Sequence, residues 1–174
     1  MRYRLPYLPC ALLALAALPI HAAPKTAHAD LANAQGATIG HAKFSSVSGG
    51  VKIALTVSQL TPGVHGIHIH TVGKCEGPAF TTAGGHFNPA NAHHGVHNTQ
   101  TPNPHVGDLP NLTVSDKGTA KITFTATGAT LGDGPNSLFH DGGTSLVIHA
   151  KADDMMSDPS GNSGDRIACG VIVQ

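Results

Sequence analysis

The chain has 174 residues, which is long enough for one domain with a substantial hydrophobic core. Ten basic and ten acidic residues leave no formal net charge, so electrostatics gives no support for nucleic acid as a partner. With no Trp and only 11% charged residues, the composition suits short strands joined by turns better than a helical bundle. Histidine stands out with 13 residues, which favours metal chemistry.

The N-terminus has the pattern of a secretory signal peptide. Arg2 and Arg4 precede an apolar run over Cys10–Ile20, and small residues follow that run. A membrane-spanning helix needs about 20 consecutive apolar residues, and this run is shorter. We therefore predict cleavage after Ala22 or Ala23, with no stable membrane insertion of the cleaved chain.

Cleavage separates a signal peptide, residues 1–22, from a single mature domain, residues 23–174. The loss of two arginines leaves eight basic and ten acidic residues, a formal charge of −2. Cys75 and Cys169 then remain in an oxidising compartment, where a disulfide is favoured over two metal-binding thiols. We expect an exported protein that resides in the periplasm, with secretion into the medium as the alternative.

The mature chain alternates between short strand-like segments and turns. In one segment, Val51, Ile53 and Leu55 alternate with polar or small residues, as in a half-buried strand. The predicted strands are Thr26–Asn33, Ala37–Ser45, Val51–Ser58, Val64–Thr71, Asp108–Val114, Thr119–Thr127, Thr144–Lys151 and Arg166–Val173. Eight short strands predict an antiparallel sandwich or barrel. Residues 72–104 and 152–165 are long loops, which in a compact domain usually carry function.

The stretch Gly66-Ile67-His68-Ile69-His70 gives the first chemical signal. On a strand, alternate side chains point to opposite faces, so the two histidines share one face and the two isoleucines face the core. Two imidazoles at this spacing can reach one small ion. The motif is short, and its interpretation depends on further ligands elsewhere in the chain.

Further histidines follow in the long loop and near the C-terminus. Three imidazoles and a carboxylate make a closed tetrahedral set suited to zinc, and they are His86, His94, His105 and Asp108. His149 ends an apolar strand, and together with His68, His70 and one more imidazole it would suit copper. The spacing leaves open whether the two sets are neighbours and whether one histidine serves both.

Together these motifs resemble the copper/zinc superoxide dismutase family over nearly the whole mature chain. The segments that carry the resemblance are Pro62–His70, Ala83–Pro89, His94-Gly95, His105–Leu109, Leu146–Asp154 and Gly161–Gly170. The resemblance implies an all-β fold, an eight-stranded antiparallel Greek-key β-barrel of immunoglobulin-like sandwich type with two long functional loops. It also implies an enzyme that dismutates superoxide to molecular oxygen and hydrogen peroxide, protecting against superoxide outside the cytoplasm.

The resemblance assigns roles to individual residues and one ion of each metal to each subunit. The copper ligands would be His68, His70, His86 and His149. The zinc ligands would be His86, His94, His105 and Asp108, so that His86 bridges the two ions. His86 and Arg166 would act in catalysis, Asp153 would accept hydrogen bonds from His68 and His94, and Cys75 would pair with Cys169.

Two alternatives use the same barrel. A non-catalytic metal-binding module is expected to lose copper ligands or the arginine, whereas this chain keeps His149 and Arg166. A copper-only dismutase would lack zinc ligands, which are present here. The segment from Lys151 to Arg166 holds two basic residues and four aspartates, so we expect little long-range steering of the superoxide anion. The sequence leaves open whether the chain forms a homodimer.

The remaining histidines of the mature chain lie outside the two ligand sets. His65 is expected to have a structural role. The others are expected at the surface, and they are His28, His41, His93, His97 and His140.

Overall fold

The computed structural model of the chain describes residues 25–100 and 102–174. The predicted signal peptide and its cleavage site lie outside these residues. The described residues form nine strands and one short 3-10 helix at Thr81–Ala83. The strands are β1 Thr26–Asn33, β2 Thr38–Val47, β3 Gly50–Val57, β4 Gly63–His65, β5 Ile67–His70, β6 Leu112–Val114, β7 Ala120–Thr127, β8 Ser145–His149 and β9 Arg166–Val171. In this part of the chain, no helix has the length and apolar character needed to cross a membrane.

Seven of the strands form one antiparallel sheet in the order β5-β8-β9-β1-β2-β3-β7, and β4 pairs with β6. The neighbours β9–β1 and β3–β7 are distant in sequence, as Greek-key connections require. Strand β4 leads directly into β5 and β6 contacts β7, so the second sheet links the two edges of the first. The strands therefore curl into a barrel, which confirms the predicted fold class.

The barrel core is built from alternating strand positions. In β3, Val51, Ile53 and Leu55 are at most 1% exposed, and the residues between them are exposed. Neighbouring strands add Leu31 and Phe44, which are equally buried. Burial of each large aliphatic side chain contributes roughly 1.5–3 kcal/mol, so the apolar face stabilises a rigid scaffold for the site.

The predicted strand Val64–Thr71 is wrong in one respect, because the chain breaks it into β4 and β5 at Gly66. Gly66 donates its N–H to the Lys151 carbonyl (2.7 Å) and accepts the His149 N–H (2.8 Å). A Cβ atom at Gly66 would lie only 2.8 Å from the Cβ of Ser163, so a glycine is needed for this close approach. The break lets β4 pair with β6 while β5 pairs with β8.

The predicted strand Asp108–Val114 is also too long, since only Leu112–Val114 is strand. Pro110 lacks the N–H that a ladder needs, and the Asp108 side chain turns toward a group of histidines. The remaining predicted strands differ from the observed ones only at their ends.

Cys75 and Cys169 form a disulfide with a Cα–Cα distance of 5.5 Å, which confirms the predicted pairing. The bond fixes the start of the long loop to β9. Phe80, Ala83 and Val147 pack around Cys169 in a small apolar cluster of their own. The loop is therefore tied to the barrel by packing as well as by the covalent bond.

Candidate metal centre

Strand β5 presents two histidines on one face and two isoleucines on the other, as the alternation predicts. Ile67 and Ile69 have no exposed surface and belong to the main core. On the opposite face, His68 and His70 are at most 1% exposed. The antiparallel pairing of β5 with β8 brings His149 alongside, with its Nε2 3.4 Å from Nε2 of His70.

His68, His70, His86 and His149 form a first cluster, in which one ring nitrogen from each lies within 4.8 Å of the others. The other nitrogen of three of these rings faces a hydrogen-bond acceptor. His68 Nε2 donates to Asp153 Oδ2 (2.7 Å), and His70 Nδ1 donates to the Gly84 carbonyl (2.8 Å). His149 Nδ1 donates to the Gly164 carbonyl (3.1 Å).

A neutral imidazole has one N–H, so the inward nitrogens of these rings are lone pairs. Two of them, His68 Nδ1 and His86 Nε2, are buried and find no hydrogen-bond partner among the described residues. Leaving such an atom unsatisfied costs about 1–3 kcal/mol, and converging lone pairs also repel one another. A cation resolves both problems, and a set of four imidazoles fits copper.

His86, His94, His105 and Asp108 form a second cluster. Asp108 Oδ1 lies 2.8 Å from Nδ1 of His86, 2.9 Å from Nδ1 of His94 and 3.2 Å from Nδ1 of His105. The outer nitrogens of His94 and His105 face oxygen acceptors on the other side, so in the neutral rings the inward Nδ1 atoms would be lone pairs free to bind a metal. Three ring nitrogens and one carboxylate oxygen this close together make a set of four ligand atoms that fits a tetrahedral zinc ion.

His86 belongs to both clusters. Its Nδ1 faces Asp108 in the second cluster, and its Nε2 is the orphaned atom in the first. Each of the other five cluster histidines has an outer nitrogen that is hydrogen-bonded to an acceptor outside its cluster, whereas His86 has none. The geometry answers the question that the spacing left open: the two sets are neighbours, and one histidine is common to both.

Burial keeps the first cluster neutral. Desolvation is the largest influence on each ring, and it lowers the pKa of His68 to about 3, of His70 to about 2 and of His149 to about 4. Such rings remain unprotonated, and therefore able to bind a metal, at any physiological pH.

The second cluster favours positive charge. Burial acts to lower the pKa of His94, but its hydrogen bonds with Asp108 and Asp153 outweigh burial and raise the pKa to about 9. For Asp108 itself, desolvation acts to raise the pKa, and the contacts with His105, His86 and His94 hold it well below its usual range. A ring placed between two carboxylates attracts a cation, whether a proton or a metal ion.

Asp153 connects the clusters, because Oδ2 accepts from His68 at 2.7 Å and Oδ1 accepts from His94 at 3.0 Å. Its side chain has no exposed surface. Desolvation acts to raise its pKa, but the hydrogen bonds from His68 and His94 hold the pKa below its usual range. The ionised carboxylate fixes the orientation of one ring in each cluster.

Arg166 opens β9 beside the first cluster. Its guanidinium donates to the Phe80 carbonyl (2.7 Å) and to the Gly84 carbonyl (2.6 Å). The Gly84 carbonyl also accepts from His70, so one oxygen joins the arginine to the cluster. Arg166 is half-buried and lines a cleft whose other walls come from Pro78, Ala79, Thr81, Gly164 and Asp165.

Comparison with known proteins identifies the kind of site. Residues 38–172 match the family model for copper/zinc superoxide dismutase. Superoxide dismutase [Cu-Zn] 1 of Aquifex aeolicus is 47% identical over 147 residues, which cover 83% of this chain and 86% of the relative. The chain belongs to the copper/zinc superoxide dismutase family.

Solved structures agree with this membership. A SOD-like protein from Bacillus subtilis has a TM-score of 0.79 and 37% identity, covering 83% of this chain and 96% of that one. The Cu/Zn superoxide dismutase from Brucella abortus has a TM-score of 0.66 and 28% identity, covering 84% of this chain and 99% of that one. Copper and zinc are the metals of the family, and both clusters of this member fit them.

Every metal ligand predicted from the sequence lies in one of the two clusters, and Asp153 and Arg166 lie against them. His65 and His140, which belong to neither cluster, are also withdrawn from the surface. His65 is buried and bonds the carbonyls of His149 (2.7 Å) and Thr61 (2.9 Å), which fits its expected structural role. His140 is half-buried and stacks on Phe87 with the ring planes 4° apart, so the expectation of a surface position does not describe it.

Apart from Asp153, the groups that hold the second cluster in place could not be predicted from the sequence. Ala92 supplies a carbonyl to His105 Nε2 at 3.1 Å. Asn88 and Asn111 in turn bond the backbones of Ala92 and Asp153. No sequence signal distinguishes these asparagines from the many Asn residues that stabilise turns.

Proposed function

We propose that the first cluster binds copper and the second binds zinc, with one ion of each per subunit. The copper ligands are His68, His70, His86 and His149, and the zinc ligands are His86, His94, His105 and Asp108. As a member of its family, the chain is an enzyme that converts superoxide to molecular oxygen and hydrogen peroxide. The observation that carries the ligand assignment is the position of His86, whose two ring nitrogens face different clusters.

Copper, when bound, supplies one-electron chemistry by alternating between Cu(II) and Cu(I), whereas zinc supplies charge without redox change. The chain's own residues supply positioning, charge and a proton. His68, His70 and His149 are held by their outer N–H groups and by the buried strands β5 and β8, so they form the rigid part of the site.

His86 is suited to carry a proton. Its Nε2 is buried and faces no protein acceptor within the described residues. This atom would either bind copper or, when released from it, hold a proton taken from solvent, and that proton is available to an anion that enters the first cluster. Asp108 Oδ1, 2.8 Å from the other ring nitrogen, holds the ring in place on the zinc side. We propose that this proton goes to the departing peroxide.

Arg166 binds the substrate. Superoxide is a small anion, and a guanidinium stays charged at all physiological pH values. Its two hydrogen bonds to backbone carbonyls fix the group at the edge of the first cluster while it lines the open cleft. We infer that it orients superoxide toward that cluster.

The test combines metal analysis with superoxide decay. Chain recovered from the periplasmic fraction should have the mass expected for cleavage after Ala22 or Ala23, in line with the proposed export. It should contain copper and zinc and should dismutate superoxide. His149→Ala should lose copper, keep zinc and fall at least about 100-fold in activity, since the copper site loses a ligand.

His41→Ala is the matched control, because the His41 side chain is exposed and hydrogen-bonds Asp30 on the barrel exterior. It should keep both metals and full activity. A chain that holds a full complement of both metals without dismutating superoxide would refute the assignment of the site. That result would favour a non-catalytic metal-binding module.

The cleft beside Arg166 has little excess positive charge. Asp165 lies next to the arginine in the cleft wall, and the nearest further cation along the loop is Lys151, whose side chain runs against Gly164. We expect kcat/KM to fall much less than the roughly 10-fold or more that strongly steered association shows as salt shortens the screening length. Pulse radiolysis at ionic strengths of about 0.01 M and about 0.15 M measures this dependence.

Asp165→Asn provides the comparison for that measurement. This substitution removes the negative charge beside Arg166. The kcat/KM of the variant at low salt should therefore exceed that of the wild type and should fall more steeply as salt is added. A steep fall for the wild type itself would contradict the expectation.

A further inference from the structure

The outer N–H groups of the second cluster meet acceptors that are themselves held by asparagine side chains. His105 donates through Nε2 to the Ala92 carbonyl (3.1 Å), and His94 donates through Nε2 to Asp153 Oδ1 (3.0 Å). Neither acceptor lies in a regular strand or helix. Something other than a backbone ladder must therefore fix their positions.

Asn88 holds Ala92 by two hydrogen bonds. Its Nδ2 donates to the Ala92 carbonyl (2.9 Å), and its Oδ1 accepts the Ala92 N–H (2.9 Å). The same carbonyl therefore accepts from both Asn88 and His105. Since both bonds of the asparagine go to one residue, they fix the direction in which the carbonyl points.

Asn111 holds Asp153 in the same way. Its Nδ2 donates to the Asp153 carbonyl (2.8 Å), and its Oδ1 accepts the Asp153 N–H (2.9 Å). Asn111 directly precedes β6, whereas Asp153 belongs to the long loop 152–165. The two bonds thus fasten that loop to the barrel at the residue whose carboxylate contacts His68 and His94.

The side chain of Asp153 is tightly packed. A Cβ atom at Gly161, which has φ of +64°, would overlap Asp153 Oδ1 and would lie 2.7 Å from Nε2 of His94. Asp153 Oδ1 also accepts the Met155 N–H (2.6 Å). A small displacement of the Asp153 backbone would therefore break contacts on several sides at once.

We propose that Asn88 and Asn111 are positioning residues for the metal centre. Each uses the donor and the acceptor of one amide, a combination that few side chains offer, to hold the residue whose oxygen orients a cluster histidine. Asn88 acts on His105, and Asn111 acts through Asp153 on His94 and His68. The inference rests on the proposed function, because it concerns rings that would bind zinc and copper.

The test follows individual ring protons. The chain is loaded with zinc and with copper kept reduced, so that both ions are diamagnetic, and the solvent exchange of each histidine N–H is measured by NMR. Asn111→Ala should speed exchange at Nε2 of His94 and His68 and leave His105 unchanged. Asn88→Ala should speed exchange at Nε2 of His105 alone. Each variant should also weaken zinc binding about 10-fold or more, as loss of a partner that orients a ligand does.

A double-mutant cycle tests whether Asn111 acts through Asp153. Asp153→Asn alone should weaken zinc binding, and adding Asn111→Ala should produce little further loss if both act on the same ring. Asn33→Ala is the matched control: Asn33 also makes two side-chain hydrogen bonds, to Gln35 and Ala37, but it contacts no cluster residue. Asn33→Ala should leave the N–H exchange rates of all three rings unchanged.

Asn88→Asp and Asn111→Asp replace the alanine variants if either of those does not fold. They keep the size and the acceptor but lose the amide donor, and each should affect the same ring as its alanine variant. Equal acceleration at all three rings, or none, would overturn the positioning role. A wild-type chain that binds no zinc at His94 and His105 would overturn the proposed function as well, which separates the two failures.

Discussion

His86→Ala should lower the rate of superoxide dismutation by about 10²- to 10⁴-fold, the range expected when a proton donor in the reacting site is lost. The same substitution removes one ligand from each cluster, so binding of both metals should weaken. No neighbouring ring can replace it, because the other five cluster histidines are fixed by their outer nitrogens. The effect should therefore be the largest of any single histidine substitution.

The measurement pairs pulse radiolysis with competitive chelation of copper and of zinc. His97→Ala is the control, because His97 is an exposed histidine of the same long loop, and the hydrogen bond from its backbone N–H to the Met155 carbonyl (2.9 Å) does not depend on the side chain. It should retain both metals and the wild-type rate. A His86→Ala chain that binds both metals at native affinity would refute the bridge.

Cys75→Ser combined with Cys169→Ser should lower the free energy of unfolding by about 4 to 5 kcal/mol. The bond joins residues 94 positions apart, and in the chain-entropy model a loop of this size gives close to the largest stabilisation a single disulfide can provide. A loss of this size is a large part of the net stability of a typical domain.

The double serine variant should also lose catalytic efficiency in the fraction that remains folded. Phe80 and Gly84, whose carbonyls hold Arg166, belong to the loop segment that the disulfide secures. Without the bond, we expect the arginine to be held less firmly and KM to rise.

Denaturant unfolding at fixed copper and zinc concentrations measures the stability change, because bound metal itself shifts the apparent stability. Wild-type chain under reducing conditions should reproduce the loss. A double variant as stable as the oxidised wild type would show that packing around Phe80 and Cys169 secures the loop without the covalent bond.

Much of the fold and of the ligand set follows from local sequence patterns. Alternation in β3 and β5 depends only on the two-residue period of a strand, so the burial of Ile67 and Ile69 behind His68 and His70 could be predicted. The residue types of the two ligand sets also indicate suitable metals, because imidazole and carboxylate groups have known metal-binding preferences.

The break at Gly66 could not be predicted, since the residue that comes so close that a glycine is needed there, Ser163, lies nearly one hundred residues later in the sequence. The pairing of Asn111 with Asp153 is equally distant from any local signal. Such contacts depend on how the long loops pack against the folded barrel.

The sequence by itself determined which residues have the chemistry to bind copper and zinc, and which strands could carry them. The family resemblance implied that His86 bridges the clusters and that Asp153 orients a ring in each, but residue spacing did not, and only the tertiary structure shows these contacts in this chain. The physical reason is that ligand chemistry belongs to each side chain, whereas convergence depends on the pairing of β5 with β8 and on a loop fastened by Cys75 and Asn111.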